Sequence, residues 1–87
     1  MARYQILFKR SAERAFLALP KDVQRRLDAR LLALQHTPRP PGIKALAGVS
    51  GVYRLRVGDY RILYEVLDES VIVLVLRVGH RRQVYRK

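Results

Sequence analysis

The stretch from Val52 to Leu67 constrains the fold more than any other part of the chain. It reads VYRLRV, then Gly58-Asp59, then YRILYEVL. Both flanks are rich in β-branched and aromatic residues and have strand length, and two residues with glycine first form the loop of a tight hairpin. A loop of that length leaves one register. Val57 faces Tyr60, Leu55 faces Ile62 and Tyr53 faces Tyr64, and strand alternation makes the side these pairs share the core face. The other face then carries Arg56 opposite Arg61, and Arg54 opposite Leu63. Like charges directly opposed across a sheet are destabilising by roughly 0.2–1 kcal/mol. An anion seated on the patch would turn that repulsion into charge-assisted hydrogen bonds. The plainer alternative is that these arginines only solvate the exposed face of an antiparallel sheet.

The rest of the chain completes a simple element order. Residues 3–8, RYQILF, read as a short strand. Ser11 is placed to cap a helix starting at Ala12, with Glu13 in its first turn and Ala12, Ala15, Phe16 and Leu19 as its apolar stripe. Pro20 ends that helix or starts the next. A second helix is expected to run to about His36 with Val23, Leu27, Leu31 and Leu34 inward, and His36 is then a partner for the helix C-terminal dipole. The stretch TPRPPGI, 37–43, stops the helix and begins a loop. KALAG, 44–48, leads into a further turn at VSG. VIVLVLRV, 71–78, reads as the last strand, reached through Asp68-Glu69-Ser70. The predicted fold is α+β, one domain over 1–87. Its N-terminal strand and helical hairpin precede a three-stranded antiparallel meander, β-α-α-β-β-β, with the helices on one face of the sheet.

Charge says what the exposed face is for. Eighteen Lys and Arg against seven Asp and Glu leave a formal charge of +11. In a chain of 87 residues that predicts an anionic partner, nucleic acid or an acidic protein, and favours an anion-binding role for the hairpin cluster. No long basic amphipathic helix ends in aromatic anchors, and no apolar run approaches the length of a membrane span, so no membrane partner is expected. The N-terminus MARYQILFKR lacks the long apolar core of a signal peptide, and a cytoplasmic location is the expectation. There are no cysteines, and the two histidines, His36 and His80, are far apart, so neither a disulfide framework nor a zinc site is expected.

Several catalytic templates are absent: paired carboxylates, a phosphate-binding glycine loop, and a Ser-His-Asp set. An enzyme built on this chain must work with Arg, His and Tyr and without a cofactor or metal. That set suits cleavage of RNA by its own 2′-hydroxyl, in which arginines stabilise the extra charge of the transition state and His or Tyr moves protons. His80 and Tyr85 lie among Arg77, Arg81, Arg82 and Arg86 in the tail. Each has a bland reading too: His80 as a surface residue, Tyr85 as a plug at a sheet edge.

The segments KALAG, YRLRVGDYRILYEV and VIVLVLRVGHRRQVYR together resemble the RelE branch of the RelE/ParE toxin superfamily, over nearly the whole chain. The stretches 53–66 and 78–86 are specific as a pair. The resemblance implies a RelE-like fold and the toxin half of a type II toxin–antitoxin system, an endoribonuclease that enters the ribosomal A site and cuts mRNA there. It implies a cognate antitoxin that wraps the toxin in a hetero-oligomeric complex, with the ribosome and mRNA as further partners. By resemblance, Arg54 and Arg56 match the family's RNA-contacting basic residues, Arg61, Arg81 and Tyr85 match its other working positions, and His80 stands where relatives carry a basic residue or a histidine. The expected catalytic set is thus Arg61, Arg81, His80 and Tyr85, and the expected RNA-binding set is Arg54 and Arg56, with Lys44, Arg77 and Arg82 as further cations of the positive region. Better-known members have lysines where Arg54 and Arg56 stand. Arginine is effectively never deprotonated, so a base role moves here to His80 or Tyr85. Two other functions share this sequence pattern: a ParE-like poison of DNA gyrase on the same fold, and a non-catalytic RNA-binding module.

Overall fold

The computed structural model describes residues 3–80. The elements are β1 (Gln5–Phe8), α1 (Arg10–Leu17), α2 (Lys21–Ala33), β2 (Lys44–Ala45), β3 (Val52–Val57), β4 (Tyr60–Leu67) and β5 (Ile72–His80). The strands form one sheet in the order β1-β5-β4-β3-β2. β3, β4 and β5 make the expected antiparallel meander, β2 adds to it antiparallel, and β1 lies parallel to β5. That parallel pairing needs a connection across the sheet, which the helical hairpin begins.

The core lies between the helices and one face of the sheet. Val23, Leu27, Leu31 and Leu34 are all buried, as the spacing of the second helix requires. Ala12 is buried on α1, while Ala15, Phe16 and Leu19 are half-buried. Phe16 meets Phe8 of β1 with ring centres 5.4 Å apart. From the sheet, Leu55, Val57, Ile62, Tyr64, Val66, Val73, Val75 and Val78 close the cluster.

The hairpin has the register that its loop length demands. Val57 pairs with Tyr60, Leu55 with Ile62, Tyr53 with Tyr64, Arg56 with Arg61 and Arg54 with Leu63. Gly58 has φ +61° and Asp59 keeps a negative φ, the pattern of a type II′ turn. Any side chain at position 58 would meet a strained backbone, and its Cβ would lie 3.7 Å from Nη1 of Arg26.

Local details differ from the sequence reading, each for a physical reason. β1 starts at Gln5 rather than residue 3 because its partners on β5 run only from Ile72 to Val75. α1 begins at Arg10, with Lys9 as N-cap, and Ser11 makes no cap. The amide of Glu13 already bonds the carbonyl of Lys9, which places Ser11 inside the first turn. α2 ends at Ala33 rather than near His36, and tightens through bonds from Leu34, Gln35 and His36 to residues three back. Thr37 precedes a proline, and that position disfavours the helical conformation. Lys44–Ala45, within the stretch that the sequence reads only as leading into a turn, is a strand, because β3 offers an edge at Arg54 and Tyr53. The turn before β5 takes in Val71, whose amide bonds the Asp68 carbonyl. Val71 has φ +56°, a costly conformation for a β-branched residue. A bulge between β4 and β5 pairs Leu63 with Arg77 but Tyr64 with Val75, leaving Leu76 extra.

Candidate nucleic-acid interface

Register arranges the outer face of the sheet in rows. One row crosses four strands as Lys44, Arg54, Leu63 and Arg77. The next crosses three as Arg56, Arg61 and Gly79. Pair types alternate along an antiparallel ladder, so Arg56 and Arg61 are a non-hydrogen-bonded pair, the closer kind, with Cα atoms about 4.5 Å apart. Leu63 and Val52 are buried on this face and give it an apolar floor beside the cations.

Four of these cations converge. Lys44, Arg54, Arg56 and Arg61, with Gly42, line a cleft of about 180 Å³. Lys44 and Arg56 are exposed, while Arg54 and Arg61 are half-buried. Nη1 of Arg61 is shielded from solvent. No carboxylate is among the described residues lining the cleft. Gly42 brings backbone close to the cleft, and its φ of +92° turns the chain from the proline loop into β2. Fixed guanidinium forks and one flexible ammonium, partly desolvated, make a receptor for phosphate groups.

The remaining predicted residues fall elsewhere. Arg77 is exposed and lines a separate cleft of about 310 Å³ with Lys9 and Ser11, between α1 and β5. His80 pairs with Tyr60, and the two rings pack edge to face at 5.9 Å. Tyr60 packs against the core, so register puts His80 on the side of the sheet away from Arg56 and Arg61. Arg81, Arg82 and Tyr85 lie outside the described residues.

A second polar cluster was not legible in the sequence. Arg39, from the proline loop, donates from Nε to the Tyr53 hydroxyl at 2.9 Å and from Nη1 and Nη2 to Asp68 at 3.3 and 2.7 Å. Its guanidinium carbon lies 5.6 Å from the Tyr53 ring centre. Asp68 also accepts from the Tyr4 hydroxyl at 2.7 Å. These two donors, Arg39 first, hold the Asp68 carboxyl below the usual range, and the carboxylate in turn raises both Tyr4 and Arg39. Tyr64 is wholly buried and donates to the Pro38 carbonyl at 2.8 Å. Burial, more than the neighbouring Tyr53, pushes its phenol up to about 12. No periodicity links residues 4, 39, 53 and 68, so only the assembled sheet reveals the cluster.

Comparison with known proteins bears on the chain as a whole. Residues 6–85 match the family model described as the ParE toxin of the type II toxin–antitoxin system parDE. The mRNA interferase toxin RelE of Escherichia coli strain K12 is 33% identical over 82 residues, spanning 92% of this chain and 85% of that protein. The crystal structure of the isolated E. coli RelE toxin superposes with a TM-score of 0.82 at 29% identity, covering 97% of this chain and 87% of the other. The toxin in the intact E. coli RelBE toxin–antitoxin complex gives 0.81 at 29% identity, covering 88% and 95%.

Proposed function

The chain belongs to the ParE/RelE family of toxins of type II toxin–antitoxin systems, and from that membership we propose that it is an endoribonuclease that cuts mRNA in the ribosomal A site. The observation that carries the reading is the cleft of Lys44, Arg54, Arg56 and Arg61 on the open face of the sheet. In the reaction the 2′-oxygen bonds to the adjacent phosphorus and the bond from phosphorus to the 5′-oxygen breaks. A proton leaves the 2′-hydroxyl and another reaches the leaving oxygen. The products are a 2′,3′-cyclic phosphate and a 5′-hydroxyl.

Arg61, joined by Arg81, would stabilise the charge that develops on the phosphoryl oxygens, the kind of contribution that usually dominates such catalysis. Arg54, Arg56 and Lys44 would hold the flanking phosphates, with Arg77 and Arg82 extending the track. Arginine stays protonated throughout, so proton transfer falls to Tyr85, and to His80 only with a turn of the β5 end that brings its ring round from the Tyr60 side. An antitoxin partner is part of the proposal, supported by the RelBE complex whose toxin this fold matches.

A ribosome-programmed cleavage assay tests the proposal. Wild-type protein is expected to release a defined mRNA fragment and Arg61→Ala to release almost none; equal cleavage by both would remove the site assignment. The ParE description of the matching family model favours a second reading, poisoning of DNA gyrase. Intact transcripts with an induced DNA-damage response would select it.

A further inference from the structure

We infer that Arg39 is a positioning residue for the cationic cleft: by clamping the proline loop onto Tyr53 and Asp68, it sets the place of β2 and so of Lys44. The inference rests on the RNA-binding reading of the cleft. β2 has only two residues at the edge of the sheet, too few to hold themselves there by pairing alone. Something else must deliver Lys44 to its position beside Arg54. The loop does so as a short closed ring. Arg39 holds the hydroxyl of Tyr53, and six residues later Ala45 pairs with the backbone of the same Tyr53.

Between those two ties run Pro40, Pro41, Gly42, Ile43 and Lys44 itself. The prolines fix their own φ, Gly42 makes the one left-handed step and Ile43 packs against the core. The near end of the ring is anchored by Tyr64, fully buried, which holds the Pro38 carbonyl. Tyr53 and Tyr64 are themselves cross-strand partners, so both ties end on one rigid pair. The Arg39 and Asp68 side chains are 41% and 55% exposed, and an exposed ion pair adds little to global stability. Its effect is therefore expected at the cleft rather than in the melting temperature.

Removal of Arg39 lowers the net charge by one and removal of Asp68 raises it by one. A simple field effect on RNA binding gives the two variants opposite signs, whereas positioning gives them the same sign. The test measures affinity of the full-length protein for a fully 2′-O-methylated RNA oligonucleotide across a salt series. Lys44→Ala is expected to make the log–log salt slope shallower by about 0.7, the value of one phosphate contact on a single strand. Arg39→Ala and Asp68→Ala are each expected to reproduce that loss, and to add nothing in the Lys44→Ala background. Tyr53→Phe, which removes one acceptor and keeps the ring, is expected to move the slope the same way and covers the case in which Arg39→Ala fails to fold. Opposite shifts for Arg39→Ala and Asp68→Ala, additivity with Lys44→Ala, or a wild-type slope in the folded clamp variants would overturn the inference alone. Unchanged slopes in Lys44→Ala, Arg54→Ala and Arg56→Ala would overturn the site reading and the inference with it.

Discussion

Arginine is used on opposite logic at the two ends of the strand pair β3–β4. On the outer face, toward the Gly58 turn, Arg54, Arg56 and Arg61 crowd against one another and Lys44. At the other end, Arg39 sits against a carboxylate at 2.7 Å, a tyrosine hydroxyl and a tyrosine ring. The second cluster pairs its charge within the protein, which lowers Asp68 and raises Tyr4 and Arg39. The first gathers cations where sheet energetics disfavour them, which makes sense when an anion completes the site. Arg39, with its internal carboxylate, is a structural tie; the grouped cations of the cleft are the ones proposed to bind RNA.

That contrast is open to experiment. Its largest expected consequence is catalytic. Arg61→Ala should lower cleavage by about 10²-fold or more, the usual cost of losing one transition-state donor, while circular dichroism shows the fold intact. His80→Ala should cost less in the same assay, because the His80 ring packs on Tyr60 away from the cleft. Equal losses would show that the strand end rotates on binding.

Next comes the anchor of the second cluster. Tyr64→Phe keeps the ring but orphans the Pro38 carbonyl, and should cost about 1 kcal/mol in denaturant unfolding. The same phenol sets an alkaline limit. Its folded pKa, about 12, lies above the ordinary value of 10.0, so its contribution is whole below about pH 10 and is lost as pH rises toward 12. A late component in the phenolate absorbance titration, absent in Tyr64→Phe, would establish it.

A smaller effect has the opposite sign. Arg56→Gln relieves a like-charge pair and should raise stability by roughly 0.2–1 kcal/mol while weakening RNA binding. A variant that loses both stability and binding would show that Arg56 is a tie and not part of the surface. The smallest effect is acidic. Asp68 has a lowered pKa, so its contribution is present above the unfolded carboxylate range and is lost as pH falls through the depressed value. Asp68→Asn should flatten that limb of the stability–pH curve.

Much of the architecture could be read before any coordinates. The core stripe of α2, the three long strands and every hairpin pair needed only periodicity and loop length. Lys44 stands among the expected RNA-binding residues, yet its strand is invisible in the sequence, because two residues carry no period. The place of His80 was equally hidden: the bulge at Leu76 changes which face each later residue of β5 presents.

The sequence by itself determined the opposition of Arg56 and Arg61. A two-residue turn and a two-residue side-chain period are local rules, and they act on residues already adjacent along the chain. Tertiary structure alone decided the parallel seat of β1, the two-residue edge strand that presents Lys44, and the meeting of Tyr4, Arg39, Tyr53 and Asp68. Those contacts join segments far apart in sequence. Their geometry follows from how the packed sheet and its loops close around the core, and no local pattern encodes that.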